Sequence, residues 1–296
     1  MAEAERPARS GPRGPQRTRP APEGGALLSA HELADARNVE RRRANARRLR
    51  VLELGAASAP AIVLGVVLGI TEGVLAGAVA AAAVFLVVIF AVVAASMAFA
   101  LRMVGGTPVD ARALPGLVNQ VEGLCATLGV VQPELRLLDD PVPNACALAG
   151  RAKRSVLVVT SGLVERLGLI EMEGVLAHEL VHLKRHDAVV SCVAVATAGA
   201  VAWVTGRDGL VHLAVGRGRE YGADQEAALA VRYPPGLLGA LASMGEPPGG
   251  PASPFSGRRW AATRWIWIDP MVGATERAPI GELDATAVRA AALAEL

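Results

Sequence analysis

Two histidines and a glutamate at helical spacing are the residues in this sequence best suited to chemistry. His178 and His182 are four residues apart, so a helix places both imidazoles on one face, where they can bind one metal ion. Glu179 follows the first histidine, where its carboxylate can accept a proton from zinc-activated water. The alternative is a pair of ordinary helix histidines flanking a solvated glutamate. The spacing favours a zinc site with Glu179 as general base.

A tetrahedral catalytic zinc needs a third protein ligand and keeps its fourth position open. Glu220 and Asp224 are also four residues apart, so one carboxylate can reach the ion while the other accepts a hydrogen bond from a ligand histidine. A solvated acidic face is the alternative for this pair. His186 could reach the same face as the motif histidines, but it belongs to the polar group 184–187, and we do not expect it to bind the metal. Asp187 is expected to form a structural salt bridge.

The segments around the motif are mostly helical. Residues 171–184 have helical periodicity and carry the two histidines, and residues 109–128 are typical of an amphipathic helix. Shorter apolar runs at 135–138, 144–149 and 155–160 predict one strand followed by a β-hairpin. The expected fold is therefore mainly α with a small β-hairpin or sheet.

A long apolar region before the motif predicts a transmembrane helical hairpin over residues 54–102. Residues 54–70 and 74–101 carry no charge, and a short turn joins them. Residues 31–53 form a basic juxtamembrane helix, which we expect to face anionic lipid. The positive-inside rule then places the N-terminus and the catalytic domain in the cytoplasm, with a multi-pass anchor in the plasma membrane. A buried hairpin in a soluble protein is the alternative.

Composition agrees with a membrane protein and argues against a nucleic-acid partner. Hydrophobic residues make up 52% of the chain, while the formal net charge is only +2. The three cysteines are widely spaced, so neither a disulfide framework nor a cysteine zinc site is expected, and a reducing compartment is favoured. Residues 1–30 are rich in proline and arginine and predict a disordered tail.

In combination, the motifs resemble those of the HtpX-type and CAAX-prenyl-protease-type family of integral-membrane zinc metallopeptidases, and HtpX-like members most of all. That family pairs HExxH with a downstream ExxxD, which here are HELVH at 178–182 and EYGAD at 220–224. The resemblance implies a gluzincin-like metallopeptidase domain over residues 107–240. It also implies one Zn²⁺ per chain, bound by His178, His182 and Glu220. By the same likeness Glu179 would be the general base, and Asp224 would accept a hydrogen bond from a ligand histidine.

The stretch Pro143-Asn144-Ala145-Cys146-Ala147 resembles the Asn-Ala edge strand that the family places before its active-site helix. An exposed strand edge can hold an extended peptide as an additional strand. Asn144 and Ala145 are therefore predicted to contact a polypeptide substrate. Misfolded membrane proteins would suit the quality-control role of HtpX-type members.

The region after the metal motif departs from the family pattern. Residues 188–205 are an uncharged run of 18 residues, and a single crossing would separate Glu220 from the histidines. Residues 210–215 are too short to cross back. Two alternatives remain open for residues 188–215: a helical pair that dips into or rests on the membrane, or a buried domain helix.

The C-terminal part, residues 241–296, is expected to be rich in loops and to end in a helix. Trp265 and Trp267 are interpreted as core residues rather than as a membrane-interface belt. Ala278-Pro279 stands where the family often has His-Pro, so a role for that histidine is absent.

The sequence thus predicts a membrane-bound zinc endopeptidase that cleaves peptide bonds with zinc-activated water and Glu179 as base. Its expected partners are a polypeptide substrate and the lipid bilayer. One alternative is a catalytically inactive membrane scaffold, or pseudopeptidase, that retains the metal site. Another is a metal-dependent hydrolase of a non-peptide substrate, although a small substrate would not need a strand edge.

Overall fold

The computed structural model describes residues 30–151, 154–216, 218–244, 255–270 and 286–296. Apart from residue 30, the predicted disordered tail lies outside the described residues. Ala278-Pro279 and much of the predicted C-terminal loop region also lie outside them.

Two long helices form the predicted N-terminal hairpin. Helix α1 spans Ala30–Thr71 and α2 spans Val74–Val104, so the basic segment and the first apolar run are one continuous helix. Pro60 removes one backbone donor without ending α1. None of the most apolar 18-residue window of α2 is buried. Because about 20 apolar residues suffice to cross a bilayer, both helices are long and apolar enough to span a membrane.

The two helices touch through small residues. A Cβ atom added to Gly77 would lie 2.4 Å from the backbone oxygen of Gly65 and 2.7 Å from the Cα atom of Gly69. Larger side chains at Gly77 would therefore force the helices apart. Such close backbone approach is the usual way in which membrane helices pack, since lipid supplies no hydrophobic drive for their association.

A four-stranded sheet follows the hairpin. Its strands are β1 (Thr107–Pro108), β2 (Glu134–Leu138), β3 (Ala145–Ala149) and β4 (Ser155–Thr160), and their order is β1-β2-β4-β3. β3 and β4 pair antiparallel as the predicted hairpin, whereas β2 runs parallel to β4. The valine-rich β4 is central and buried on both faces, which suits its β-branched side chains. β3 is left at one edge.

The helix predicted over residues 109–128 is wrong in its first part. Helix α3 spans Pro115–Leu128. The Val109 N–H instead donates a 2.9 Å hydrogen bond to the Leu135 carbonyl, which extends the pairing of β1 with β2. Proline lacks an N–H and has a preset φ angle, so Pro115 favours the first turn of a helix over its interior.

The remaining helices surround α5, which carries the histidine motif. Nearly every α5 side chain from Gly174 to Leu183 is buried. A Cβ atom on Gly174 would lie 2.8 Å from the backbone nitrogen of Leu237, so this glycine lets α10 pack directly against α5. The bounds are α4 Ser161–Arg166, α5 Leu169–Lys184, α6 Asp187–Ala194, α7 Ala200–Thr205, α8 Gly209–Val215, α9 Arg219–Val231, α10 Pro234–Ser243, α11 Gly257–Thr263 and α12 Thr286–Leu293.

The apolar segment after the motif is helical from Asp187 to Thr205, with a π-helical turn between α6 and α7. Half of its most apolar window is buried. The buried half is α6, which packs against β3, whereas α7 and α8 expose large apolar side chains: Val201, Trp203, Val204, Leu210 and Leu213. α8 turns the chain back toward α9. The return required by the ligand set is therefore made by short helices. The alternative of a buried domain helix holds for α6, whereas membrane association stays a prediction for α7 and α8.

Candidate metal centre

Helix α5 presents the two motif histidines side by side inside the protein. His178 and His182 are 0% and 3% exposed, and their Nε2 atoms lie 3.0 Å apart. The apolar face of α5 packs against the sheet and α3, which sets the direction of the opposite, polar face. The predicted one-turn spacing of the imidazoles is present.

Glu220, in the first turn of α9, completes the group. Its Oε2 atom lies 3.0 Å from Nε2 of His178 and 3.4 Å from Nε2 of His182. Ligand atoms about 2.0–2.1 Å from a tetrahedral zinc ion are separated by about 3.3 Å. The three residues therefore match a zinc site in donor type, in number and in spacing.

Glu179 is 1% exposed, and neither of its carboxylate oxygens has a hydrogen-bond partner among the described residues. Burial raises the pKa of this carboxyl, and the nearby charges of His182 and His178 only partly oppose that rise. A buried carboxylate without a partner is costly unless an ion or water shares its environment. Glu179 therefore fits a proton-accepting role beside the three ligands.

Asp224 lies one helical turn after Glu220 and faces the other ring nitrogen of His178. Its Oδ1 atom is 2.7 Å from Nδ1 of His178, a charge contact whose angle does not meet that of a hydrogen bond. A carboxylate in this position favours the ring tautomer with its proton on Nδ1. The guanidinium of Arg289 holds the same carboxylate with two hydrogen bonds of 2.7 and 2.8 Å. Burial opposes the charge of Asp224, but Arg289 and His178 outweigh it and lower the pKa. The sequence predicted Asp224 in this position and missed Arg289, which lies in α12.

His182 has its own carboxylate partner, which the sequence did not assign to it. The Asp187 Oδ2 atom lies 3.2 Å from Nδ1 of His182. The other oxygen of Asp187 accepts hydrogen bonds from Arg41 Nε at 3.1 Å and from Asn45 Nδ2 at 2.7 Å. Asp187 does form a salt bridge, but it also joins a ligand histidine to the basic helix α1.

Arg219 precedes Glu220 and fixes its second oxygen. Its Nε atom donates a 2.6 Å hydrogen bond to Glu220 Oε1, and its Nη1 atom donates to the Ser191 hydroxyl. Burial disfavours the ionised form of Glu220, yet Arg219 and His182 hold its pKa well below the usual range. Burial also opposes the charged form of His182, but Glu220 and Asp187 raise its pKa to about 9. Without a metal ion, the raised pKa favours a proton on the His182 ring. A metal ion would have to displace that proton to bind the lone pair of the ring nitrogen.

β3 lies at the edge of the sheet, as predicted, but this edge is not exposed. All of Ala145–Ala149 is buried. The Ile268 N–H donates to the Ala145 carbonyl at 3.0 Å. Asn144 Nδ2 donates to the Asp269 carbonyl at 2.9 Å, and the Asp269 N–H donates back to Asn144 Oδ1 at 3.2 Å. The expectation of an exposed edge is wrong for this conformation, because a later segment of the chain occupies part of it.

The covering segment is anchored by aromatic packing. Trp265 and Trp267 are 5% and 1% exposed, so their interpretation as core residues is confirmed. The His212 ring stacks on Trp265 with ring centroids 4.0 Å apart, beside Glu220.

His186 lies outside the ligand group, because α5 ends at Lys184 and His186 adopts a φ of 62°. The described cysteines are free and buried.

Comparison with known proteins gives one family. The sequence model described as Peptidase family M48 matches residues 115–245. A protein named "Protease HtpX homolog" from Tropheryma whipplei (strain Twist) is 34% identical over 206 residues, which cover 58% of this chain and 69% of the relative. Proteins of the same name from Dictyoglomus thermophilum and Salinibacter ruber are 36% and 32% identical, over 43% and 50% of this chain and 53% and 63% of their own lengths.

Proposed function

The chain belongs to peptidase family M48 and is a membrane protease of the HtpX type, and from that premise we propose that it is a zinc-dependent endopeptidase. The observation that carries the proposal is the convergence of three buried ligand atoms, from His178, His182 and Glu220, within 3.0 to 3.4 Å of one another. Two nitrogens and one carboxylate oxygen are a frequent ligand set of catalytic zinc.

Each ligand is held by a second residue. Asp187 lies within hydrogen-bond distance of Nδ1 of His182, and the Asp224 carboxylate makes a 2.7 Å charge contact with Nδ1 of His178. A carboxylate beside Nδ1 favours a proton on that nitrogen and leaves Nε2 as the lone-pair donor of each ring. Arg219 fixes the free oxygen of Glu220. When bound at these three atoms, zinc would supply a Lewis acid that acidifies water and polarises a carbonyl group.

Glu179 is the proposed general base. Its pKa is raised toward neutral pH. A group whose pKa is near the operating pH can both accept and return a proton during one turnover. Because both oxygens lack hydrogen-bond partners among the described residues, the carboxylate is free to take a proton from the attacking water. It would then deliver that proton to the leaving amine of the cleaved peptide bond.

The substrate is proposed to be a polypeptide that pairs with β3 at Asn144 and Ala145. The Ile268 N–H already makes a backbone hydrogen bond to Ala145, and the side-chain amide of Asn144 bonds to both backbone groups of Asp269. These bonds support the ability of this edge to hold an extended backbone. A substrate would have to displace this segment to take the same bonds. Misfolded membrane proteins are the proposed physiological class, and quality control the proposed role.

The proposed topology is a plasma-membrane anchor formed by α1 and α2, with the N-terminus and the catalytic domain in the cytoplasm. The arginines of α1 and Arg102 at the end of α2 flank the two apolar stretches, which supports this orientation by the positive-inside rule. The exposed apolar side chains of α7 and α8 are proposed to rest in the membrane. The π-helical turn that precedes α7 packs against α2. The proposed catalytic unit comprises residues 107–240.

Zinc content and proteolysis of the full chain in detergent, compared with the Glu179→Gln variant, test this function. We expect about one zinc per chain in both proteins, and casein cleavage slowed by about 10²–10⁴-fold in the variant. Glu173→Gln is the matched control, because Glu173 is on the same helix without contact to the ligand group. It should keep both zinc and activity.

Each outcome decides a different part of the proposal. Glu179→Gln cleaving at the wild-type rate would rule out the base, and absence of zinc in the wild-type protein would rule out the site. Stoichiometric zinc without cleavage of casein or of unfolded membrane protein would favour the competing function, an inactive scaffold that retains its metal.

A further inference from the structure

A cavity of about 530 Å³ lies away from the metal ligands, between α1, the β3–β4 turn and the end of α5. Its volume is within the range of about 300–1,000 Å³ that is typical of small-ligand sites. The peptidase chemistry proposed above uses none of the basic side chains that line it, and among the described residues Asn45 is its one link to the residues that hold the metal ligands. The cavity is therefore a candidate site for a separate ligand.

The polar part of the lining is basic. It includes Arg42, Arg151, Arg154, Lys184 and His186, and no carboxylate from the described part of the chain lines it. Glu53 neutralises Arg151, and Glu226 neutralises Lys184. Arg42 and Arg154 have no carboxylate partner among the described residues: Arg42 donates to the Lys184 carbonyl, and the Arg154 side chain is exposed.

His186 does not add a positive charge to this lining. Burial, and then the neighbouring charge of Arg42, lower the pKa of His186, while Asp187 opposes that effect only in part. The uncompensated charge is therefore that of two guanidinium groups. Guanidinium groups bind phosphate with paired, charge-assisted hydrogen bonds, so the lining favours a phosphate group over a neutral headgroup.

Asn45 and Ser155 add neutral polar groups, and large apolar side chains supply much of the remaining lining: Leu49, Val130, Val131, Leu183, Val189 and Val190. A free inorganic anion gains no favourable interaction from such an apolar surface. A molecule with a phosphate at one end and hydrocarbon at the other uses both parts of the cavity. The lining thus favours an amphiphile.

The topology proposed above, on which this step rests, places the cavity at the depth of the membrane surface. Leu49 is five residues before the uncharged run that begins at Leu54, or about 7.5 Å along the helix. The headgroup region of a bilayer is about 5–8 Å thick on each side. Arg151 bonds to Glu53, the last charged residue before that run, and a Cβ atom on Gly150 would lie 3.0 Å from Met97 Sδ in α2.

We propose that this cavity binds the phosphate of an anionic phospholipid, with Arg42 and Arg154 as its ligands and the start of the acyl chains against the valine and leucine side chains. Basic pockets beside membrane helices are suited to such headgroups. The bound lipid would bridge α1 to the β3–β4 turn and to the end of the metal-bearing helix. This is a specific lipid site in addition to the apolar anchor.

The test uses the full chain, delipidated in a zwitterionic detergent, with binding followed by native mass spectrometry and by thermal shift. The probes are dihexanoyl phosphatidylglycerol, dihexanoyl phosphatidylcholine, inorganic phosphate and an acidic soluble peptide. We expect saturable binding of phosphatidylglycerol, weakened about tenfold or more in the double variant Arg42→Gln, Arg154→Gln. The control is Arg43→Gln, Arg47→Gln, which removes the same charge from exposed residues of α1 outside the cavity.

Equal weakening in the control would overturn the proposal, because it would indicate general attraction to a basic helix. Equal affinity for phosphatidylcholine, or for inorganic phosphate alone, would also overturn it, as would tighter binding of the acidic peptide. Arg42 also holds the Lys184 carbonyl, so a poorly folded double variant is replaced by Arg154→Gln alone, whose exposed side chain makes no such contact. Zinc content should be unchanged in every variant, which separates this site from the metal centre.

Discussion

The carboxylate of Asp187 lies 3.2 Å from Nδ1 of His182. Its second oxygen is held by Arg41 and Asn45 of the N-terminal helix, 146 and 142 residues earlier in the chain. A helix that continues into the membrane anchor therefore orients a proposed metal ligand. Residues in this position commonly set the tautomer and basicity of a ligand histidine.

Asp187→Asn should lower zinc affinity about 10–100-fold, because the amide cannot hold the Nδ1–H tautomer as a carboxylate does. Arg41→Gln should have a smaller effect in the same direction, since Asn45 still holds Asp187. Competition titration against a zinc chelator measures both. Arg43→Gln is the control, because Arg43 is exposed on the same helix. Wild-type zinc affinity in Asp187→Asn would contradict an orienting role.

The apparent zinc affinity should rise with pH and then reach a plateau. The pKa of His182 in the metal-free protein is raised to about 9, so zinc must displace a proton from this ring at lower pH. Apparent affinity should therefore rise about tenfold per pH unit up to about pH 9 and level off above it. The same proton stabilises the metal-free fold fully below about pH 6.5, and this contribution is lost as pH rises through about 9. Glu220→Gln should move the plateau to lower pH, because the carboxylate that raises the pKa is gone.

Arg289→Met should destabilise the protein by about 3–5 kcal/mol, because it leaves the buried Asp224 carboxylate without its bidentate partner. Zinc affinity should fall as well, since Asp224 faces His178. Denaturant unfolding of the metal-free protein measures the first effect. Arg258→Met is the matched control at an exposed arginine and should change stability by about 0.5 kcal/mol or less. A similar loss in both variants would argue against the Asp224 contact as the cause.

Substrate binding should expose the segment that covers β3. In the Glu179→Gln protein with zinc, a bound long peptide should speed hydrogen exchange at the Ile268 amide, which now donates to Ala145. The Val109 amide, which donates to Leu135 at the other side of the sheet, should be unaffected. If the Ile268 amide stays protected at saturating peptide, the substrate does not use this end of β3.

Trp203 should contact lipid. It is 47% exposed on α7 among other exposed apolar side chains, whereas Trp265 and Trp267 are 5% and 1% exposed. Brominated phospholipids should quench a fraction of the tryptophan fluorescence in reconstituted protein, and Trp203→Phe should remove most of that fraction. Trp260→Phe should leave it in place. Quenching that survives Trp203→Phe would place the α7–α8 turn in water or in the protein.

Much of the site was predictable because it is encoded locally. His178 and His182, and likewise Glu220 and Asp224, are paired by a spacing of four residues, and a helix converts that spacing into a shared face wherever it lies. The β-hairpin and the long apolar helices are local in the same sense. The start of α3 was predicted wrongly, because the apolar periodicity extends to residues before Pro115, where the helix begins.

The amino-acid sequence alone is enough to predict the candidate donor set: the residue types, their pairing on two helices and the apolar anchor that precedes them. The residues that hold those donors, and the segment that covers β3, became visible in the folded structure. Arg41 meets Asp187, Arg289 meets Asp224, and Ile268 meets Ala145, at separations of 146, 65 and 123 residues. Such contacts follow from the packing of whole helices and of the sheet edge, and no repeat of 3.6 or 2 residues carries information about them.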